Sequence, residues 1–260
     1  MSARIEGAFA SNGKRAALMP YLMGGFPDLD TSRRIGEAYV DAGADLIELG
    51  VPFSDPLADG PSIHAAATAA LRAGVTVDGV LEVGRALAQR VPVALMCYAN
   101  LVLARGADAF AVRLADGGID GLIVPDLPSE EAAGVLAACD AAGVALIPLA
   151  APTTTEDRMA RIGAQARGFL YTVSVTGITG ERKDLAADLP ATVARAKAAT
   201  DVPVAVGFGI GTPEQARQAA DIGADGVIVG SRLVREASEA ADPPAAVRAL
   251  VADLAAGLAD

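Results

Sequence analysis

The chain has 260 residues, a formal net charge of −11 and 52% hydrophobic residues, with no tryptophan. A strongly acidic chain lacks the basic face that nucleic-acid binding requires, so we expect no nucleic-acid partner. No uninterrupted apolar stretch approaches the roughly 18 residues of a membrane span, and the N-terminus lacks the apolar core of a signal peptide. Cys97 and Cys139 are predicted to be buried free thiols, which is typical of a reducing compartment. We therefore expect a cytoplasmic protein without a membrane segment.

Eight short apolar runs, rich in valine, isoleucine and leucine, alternate with longer amphipathic segments. Strands that are buried on both faces of a parallel sheet have this continuous apolar character. The predicted strands are residues 17–23, 45–49, 91–97, 119–124, 144–149, 168–173, 202–206 and 226–229.

Helix signals lie between these runs. The clearest predicted helices are residues 30–43, 129–143 and 212–223, each opened by a capping residue and closed by glycine. The transition from helix to strand repeats as DAGAD (41–45), ADGGID (115–120) and DIGAD (221–225), with AAGVAL (141–146) as a looser fourth copy. Such repetition favours a right-handed progression of β/α units.

Eight β/α units fit a closed barrel better than an open doubly wound sheet. An open sheet usually carries a G-x-G-x-x-G turn after its first strand, whereas this chain has MGGFPD at residues 23–28. We therefore predict a (β/α)8 TIM barrel that forms one domain over residues 1–260, with an extra N-terminal helix. A barrel of this type carries its chemistry at the carboxyl ends of its strands.

Glu48 is a carboxylate inside the second apolar strand, in the segment DLIELG. It shares its face of the strand with Leu46 and points away from the face of Ile47 and Leu49. A buried carboxylate is costly unless it is paired or protonated. It could be a structural acid bonded to a neighbouring strand; we favour a general acid/base whose pKa is raised by desolvation.

The loop after this strand, VPFSDPLADGPSI (51–63), holds two more acids. Asp55 has the residue preferences of a turn. Asp59 precedes a predicted helix and could be its N-cap. Alternatively, the loop folds back over the strand end and brings Asp59 opposite Glu48, which would give an acid/base pair in unlike environments.

Three glycine-rich turns follow the last three strands: residues 174–183, 207–215 and 229–234. Loops after the seventh and eighth strands, together with a helix N-terminus, form the common phosphate site of these barrels. Glycine lets the backbone approach the phosphate oxygens, and Ser231 adds a hydroxyl donor. The three turns together predict a phosphorylated ligand.

Two residue types are scarce where chemistry would need them. The three lysines are Lys14, Lys183 and Lys197, and none lies in a predicted strand, which disfavours a Schiff-base mechanism. The single histidine, His64, cannot build a histidine-rich metal centre. Cleavage of a carbon–carbon bond would therefore need a leaving group that protonation alone makes stable.

Six motifs, in this order and at similar spacing, resemble the tryptophan synthase α subunit family over essentially the whole chain. They are IELGVPFSDPLADGPSI (47–63), PVALMCYANLV (92–102), GLIVPDLP (121–128), YTVSVTGITG (171–180), VGFGI (206–210) and VIVGS (227–231). The resemblance implies a (β/α)8 lyase that splits indole-3-glycerol phosphate into indole and glyceraldehyde 3-phosphate.

The resemblance also implies roles for individual residues. Glu48 would be the acid/base that protonates indole C3, and Asp59 would bond the indole N–H. The phosphate-binding positions would be Gly180, Gly209, Gly230 and Ser231. Tyr171 and Thr179 would lie near the site and the loop after the sixth strand, and the walls around the indole ring would be Tyr21, Ile63, Tyr98 and Phe208.

The same resemblance implies a β subunit as partner, in an α2β2 heterotetramer of tryptophan biosynthesis. That partner would carry pyridoxal phosphate, so we expect no cofactor and no metal in this chain. Residues 53–60 and 125–128 would face the partner. Three positions depart from the family pattern, namely Phe26, His64 and Glu181, and none of them removes a proposed catalytic group.

Four other functions can be weighed against the lyase. An isomerase or indole-glycerol-phosphate synthase is also a phosphate-binding barrel, but the synthase would require a lysine in a barrel strand. A metal-dependent sugar-phosphate epimerase would require several histidines. A non-catalytic barrel that only activates its partner would not need both Glu48 and Asp59.

Overall fold

The computed structural model describes residues 3–10, 12–173, 187–207 and 209–259 of the chain. Within these residues, nine strands form one sheet in which every neighbouring pair is parallel. The strands are β1 (Ala17–Met23), β2 (Ile47–Gly50), β3 (Val93–Met96), β4 (Gly121–Ile123), β5 (Ala145–Ile147), β6 (Leu149–Ala150), β7 (Leu170–Val173), β8 (Val204–Gly207) and β9 (Gly226–Val229).

The sheet closes into a barrel of eight strand positions. Its hydrogen-bonded order is β5-β4-β3-β2-β1-β9-β8-β7-β6, so the two ends of the order are β5 and β6. These two strands are consecutive in the chain and only Pro148 separates them. Because proline has no N–H to donate, it interrupts the ladder there. The pair β5–β6 is the fifth predicted strand, and the predicted (β/α)8 TIM barrel is confirmed.

Helices surround the sheet. In the described residues they are α1 (Ala3–Ala10), α2 (Leu29–Asp41), α3 (Pro61–Arg72), α4 (Val77–Ala88), α5 (Ala99–Leu103), α6 (Ala107–Asp116), α7 (Ala133–Ala142), α8 (Glu156–Gln165), α9 (Leu189–Ala199), α10 (Pro213–Asp221), α11 (Ser231–Glu239) and α12 (Pro243–Gly257). None of these helices has the length and apolar composition needed to cross a bilayer.

Two predicted helix starts were wrong and one was right. Helix α2 begins earlier than predicted, because Asp28 is its N-cap and accepts a hydrogen bond from Thr31 N–H. Helix α7 begins at Ala133 and not near residue 129, because the Ser129 hydroxyl donates to the Glu130 carboxylate and caps no helix. Helix α10 begins as predicted, with a capping box between Thr212 and Gln215.

The core has an inner and an outer part. Side chains on the inward face of the strands, such as Met19, Leu46 and Ile228, fill the barrel. Side chains on the outward face, such as Ile47 and Leu49, pack against the helices. Cys97 and Cys139 are buried free thiols, as predicted.

Helix α1 covers the end of the barrel at which the strands begin, and it confirms the extra N-terminal helix. Ile5 is fully buried there, and the ring of Phe9 packs on Phe169 with 5.6 Å between ring centroids. A side chain in place of Gly226, the first residue of β9, would lie 2.8 Å from Phe9. Helix α1 does not cover the opposite end of the barrel, where the strands finish, and a functional site can lie there.

At this closed end, the aspartate that ends each of the three repeated segments accepts hydrogen bonds from a strand N–H and from a lysine or arginine side chain. Asp45 accepts from Leu18 N–H at 2.7 Å and from Lys14 Nζ at 2.8 Å. Asp225 accepts in the same way from Val204 N–H and from Lys197 Nζ, and Asp120 accepts from Val93 N–H and Arg4. The sequence repeat is thus a repeat of hydrogen bonding.

Candidate active site

Glu48 lies on the inward face of β2, as the second of its four residues, and only 2% of it is exposed. Its neighbours in register are Tyr21 on β1 and Ala94 on β3. The predicted orientation is confirmed, because Leu46 also lies inside the barrel while Ile47 and Leu49 lie outside the sheet. Glu48 Oε2 is buried and has no hydrogen-bond partner among the described residues.

The environment of Glu48 favours its protonated form. Burial, and after it the negative charge of Asp59, raises the pKa of Glu48 to about 8. A carboxyl group with this pKa holds its proton at neutral pH and releases it in mildly basic solution, which is the range in which a general acid/base operates.

Asp59 comes from the loop that follows β2. The N-cap of α3 is Gly60, so the alternative that Asp59 caps this helix is wrong. Burial raises the pKa of Asp59, while a hydrogen bond from the Tyr98 hydroxyl and the nearby His64 act to lower it. The Tyr98 hydroxyl also accepts from Ala58 N–H at 3.1 Å. These contacts hold the end of the loop beside Glu48.

Two buried tyrosines flank Glu48 on the inward face of the sheet. Tyr21 on β1 extends over Gly50, the last residue of β2, and a Cβ at Gly50 would lie 2.5 Å from Tyr21 Cζ. Tyr171 on β7 extends in the same way over Gly207, the last residue of β8, where a Cβ would lie 2.6 Å from Tyr171 Cε2. Burial raises the pKa of both hydroxyls. The carboxylates of Asp59 and Glu48 add to this effect at Tyr21, and Glu48 adds to it at Tyr171. Both phenols are therefore neutral.

The predicted phosphate-binding residues lie where β8 and β9 end. Gly209 has a φ of 95°, which a residue with a side chain rarely adopts. Gly230 precedes α11, and Ser231 is its first residue. The N–H groups of a first helical turn point away from the helix and attract anions.

A cavity of about 590 Å³ joins these groups at the carboxyl ends of the strands. Eight of the predicted site residues line it: Tyr21, Glu48, Asp59, Ile63, Tyr171, Gly209, Gly230 and Ser231. Three others, Thr179, Gly180 and Phe208, lie outside the described residues. Tyr98 is not among the lining residues of the described chain, and its role as a ring wall stays a prediction.

The three departures from the family pattern have different surroundings. Phe26 is partly buried and packs against the hydrophobic core. His64 is exposed on α3, where its charge acts on Asp59. Glu181 lies outside the described residues. In the described part of the chain, no cluster of three or more His, Cys, Asp or Glu side chains could hold a metal ion.

Sequence reasoning missed other residues that line the cavity. Met96 and Ile228 are inward-facing residues near strand ends, so the alternation of the strands could have identified them. Arg158 and Gln165 lie on α8, and the cavity reaches them because the sheet is interrupted at Pro148. The only sequence signal for that interruption was a proline inside a predicted strand.

Comparison with known proteins gives one consistent result. A family model described as "Tryptophan synthase alpha chain" matches residues 8–258. The tryptophan synthase alpha chain of Synechococcus elongatus is 49% identical over 234 residues, which cover 89% of this chain and 88% of that one. The corresponding protein of Methanosarcina mazei is 45% identical over 245 residues, covering 94% and 90%.

Solved structures agree with the sequence comparisons. A chain of Mycobacterium tuberculosis tryptophan synthase superposes with a TM-score of 0.90 at 42% identity, covering 99% of this chain and 97% of that one. Tryptophan synthase subunit alpha of Legionella pneumophila gives 0.88 at 38% identity, covering 98% and 97%. The chain therefore belongs to the tryptophan synthase alpha chain family.

Proposed function

We propose that Glu48 and Asp59 are the acid/base pair with which this chain cleaves indole-3-glycerol phosphate. The chain is a carbon–carbon lyase by its family, and the reaction is the α reaction of tryptophan synthesis. The observation that carries the assignment of residues is the environment of Glu48: a buried carboxyl with an unpartnered oxygen, whose pKa is raised to about 8 by burial, in the wall of a cavity that it shares with Asp59.

The first step is the transfer of the Glu48 proton to C3 of the indole ring. Protonation at C3 converts the ring into an iminium cation, which can accept the electron pair of the bond to the glycerol chain. An iminium ion does here what a lysine Schiff base does in other aldolases. Two of the three lysines, Lys14 and Lys197, are held by Asp45 and Asp225 at the opposite end of the barrel.

The second step breaks the bond between C3 and the glycerol chain. The Glu48 carboxylate, now ionised, takes the proton of the hydroxyl on the carbon that leaves. That carbon becomes the aldehyde of glyceraldehyde 3-phosphate, and the electron pair of the broken bond restores the aromatic indole. Glu48 ends the cycle protonated, so no net proton is consumed.

Asp59 stabilises the cation between these steps. We assign its carboxylate to the indole N–H, where the positive charge develops after protonation at C3. Burial raises the pKa of Asp59, and the hydrogen bond from Tyr98 and the nearby His64 act against that rise, toward the ionised form that this role requires. The two carboxyl groups therefore work in different protonation states, as unlike environments allow.

The phosphate group is assigned to the opposite side of the cavity. Gly209, Gly230 and Ser231 line it at the ends of β8 and β9, and the first turn of α11 offers backbone donors and a favourable dipole. Gly180, which lies outside the described residues, is proposed to complete this site. Anchoring there would place the indole end near Glu48 and Asp59.

We infer that a β subunit covers the open end of the barrel, in an α2β2 assembly. The proposed docking residues are 53–60 and 125–128, and in the first of these loops Leu57 exposes 77% of its surface, more than the other exposed large hydrophobic residues of the described chain. Pyridoxal phosphate would belong to that partner and not to this chain. The cytoplasmic location stays a prediction.

The proposal is tested by incubating the purified chain with indole-3-glycerol phosphate and measuring indole. We expect Glu48→Gln to lower kcat by about 10²-fold or more, as the loss of a general acid does, with little change in binding of the phosphate. Glu82→Gln, on the exposed surface of α4, is the matched control and should behave as wild type. A Glu48→Gln variant with wild-type kcat would disprove the role of Glu48.

A further inference from the structure

The active-site cavity continues through the wall of the barrel beside strand position five. It is lined by inward-facing residues of this strand, such as Ile147, and also by the outward-facing Leu146 and Ala150. A cavity can touch both faces because β5 pairs only with β4, and β6 pairs only with β7. The wall is therefore open above the end of β4.

Beyond this opening the cavity enters the space between α7 and α8. Helix α7 packs against α6, and helix α8 packs against α9. The residues that line this part, which we call the side arm, are Ser129, Leu136, Leu146, Arg158, Ile162 and Gln165. Leucine and isoleucine side chains form its walls, and the polar side chains come from its margins.

The side arm is separate from the proposed substrate position. A ligand that bridges Ser231 and Glu48 spans β9, β1 and β2, which are adjacent in the sheet. The side arm lies at the break between β5 and β6, which is the opposite side of the barrel. A substrate held by its phosphate at Ser231 and in contact with Glu48 therefore does not require the side arm.

The charged group of the side arm is Arg158. Its Nη2 donates to Glu130 at 2.9 Å, but its Nε is buried and has no acceptor among the described residues. Arg161 also pairs with Glu130, at 3.6 Å, so two guanidinium groups share one carboxylate. The side chain of Arg158 is 43% exposed, so part of its guanidinium group is accessible to a ligand.

Three carboxylates of the barrel line the cavity, namely Glu48, Asp59 and Asp126. Asp126 lies in the loop after β4, and its Oδ1 accepts from Ala99 N–H at 2.8 Å. It is thus engaged at the opposite margin of the opening, toward α5. Arg158 is the cationic side chain that lines the side arm, and a ligand carboxylate there would form a charge-assisted contact with its guanidinium group.

We propose that the side arm is a second ligand site, which takes a small apolar acid. A ring or short hydrocarbon chain would lie against Leu136, Leu146 and Ile162, and a carboxylate would bind Arg158 with help from Gln165. This site is independent of the lyase chemistry, and its occupation does not require Glu48 or the phosphate-binding residues.

The test uses the full chain and 4-phenylbutyrate as probe, with 4-phenylbutyramide as the uncharged analogue, in calorimetric titrations. We expect the acid to bind with a Kd of about 1 mM or lower and the amide to bind at least about tenfold more weakly, because a charge-assisted contact is lost. Arg158→Gln should weaken binding of the acid by about tenfold. Arg161→Gln, which removes a charge from the same cluster but does not line the cavity, should change it by less than about twofold.

Two further variants locate the probe. Leu136→Trp, which fills the side arm, should abolish binding, and Ser231→Asp, in the proposed phosphate site, should leave it unchanged. Thermal unfolding of each variant confirms that it is folded before it is titrated. The proposal is overturned if the acid does not bind, if Arg158→Gln and Arg161→Gln weaken it equally, or if Ser231→Asp abolishes it.

Discussion

The burial of Glu48 costs folding stability and gives the side chain the raised pKa that its proposed chemistry needs. Its carboxyl is buried in an apolar barrel and keeps a proton up to a pH of about 8, whereas in the unfolded chain it releases that proton near 4.5. Between these two values the folded chain binds the proton and the unfolded chain does not. The free energy of unfolding therefore decreases as the pH rises through this window.

This linkage predicts how Glu48→Gln changes stability. At pH 5 the variant and the wild type should differ by less than about 1 kcal/mol, and at pH 8 the variant should be more stable by on the order of a few kcal/mol, at about 1.4 kcal/mol per pKa unit. Urea denaturation at both pH values measures the difference. Glu82→Gln, the surface control, should track the wild type. A stability difference that does not change with pH would contradict the raised pKa.

Gly50 is predicted to be required by the ring of Tyr21. Gly50→Ala would place a Cβ 2.5 Å from Tyr21 Cζ, so we expect a loss of about 1–3 kcal/mol from overpacking and a lower kcat/KM. Gly134→Ala in α7, where a Cβ has open space, is the control and should stabilise by up to about 1 kcal/mol. If Tyr21→Leu combined with Gly50→Ala does not recover stability, the clash is not the cause.

At the residue scale, the sequence predicted where side chains lie better than it predicted which side chains contact each other. The alternation of side chains along β2 was enough to predict that Glu48 points into the barrel, because successive residues of a strand point to opposite faces of the sheet. The bond between Tyr98 and Asp59 joins residues 39 positions apart, and only the closed barrel brings them together. Arg158 was missed because its place in the cavity depends on an opening in the sheet.

At the scale of elements, the three repeated segments have a structural role that extends beyond the turn made by their glycines. Gly43, Gly118 and Gly223 all have positive φ and turn the chain from helix to strand. The aspartate two residues later then bonds a strand N–H and a cation. Each repeat thus ends a helix and fixes the start of a neighbouring strand.

Removal of one of these aspartates should destabilise the barrel without altering its chemistry. Asp45→Ala leaves Leu18 N–H without its side-chain acceptor and removes the ion pair of Lys14, whose Nζ keeps only its bond to the Gly43 carbonyl. We expect a loss of about 1–3 kcal/mol. Asp221→Ala, which removes an exposed ion pair with Arg15, should cost less than about 1 kcal/mol. Chemical denaturation gives both values, and kcat of the folded variants should equal that of wild type. Equal costs for the two changes would contradict this account.

The elements themselves were largely predictable because buried parallel strands and capped helices leave local signals. Strands β1 and β9 have the predicted bounds, and the other predicted strands are confirmed with small shifts at their ends. The start of α7 was not predictable from Ser129, since its hydroxyl could satisfy either a helix N–H or its neighbour Glu130. The interruption of the sheet at Pro148 was also not predictable, because it arises when the two halves of one predicted strand pair with different neighbours.

At the scale of the whole molecule, the closed end of the barrel carries stabilising contacts and the open end carries the proposed active site. Helix α1 and the three aspartates occupy the end where the strands begin, and the cavity occupies the end where they finish. We propose that residues 1–260 form one domain, because the strands of one sheet are drawn from the whole length of the chain. Activity and assembly would then both depend on the open end.

The central claim is that Glu48 acts as a protonated acid, and the pH dependence of kcat/KM for indole release tests it most directly. The phosphate of the substrate ionises near pH 6, well below the range of interest. We predict that kcat/KM falls about tenfold per pH unit above a pH of about 8, because free enzyme with ionised Glu48 cannot protonate C3. The small residual rate of Glu48→Gln should lack this decline. A wild-type kcat/KM that stays constant between pH values of about 7 and 10 would contradict the claim.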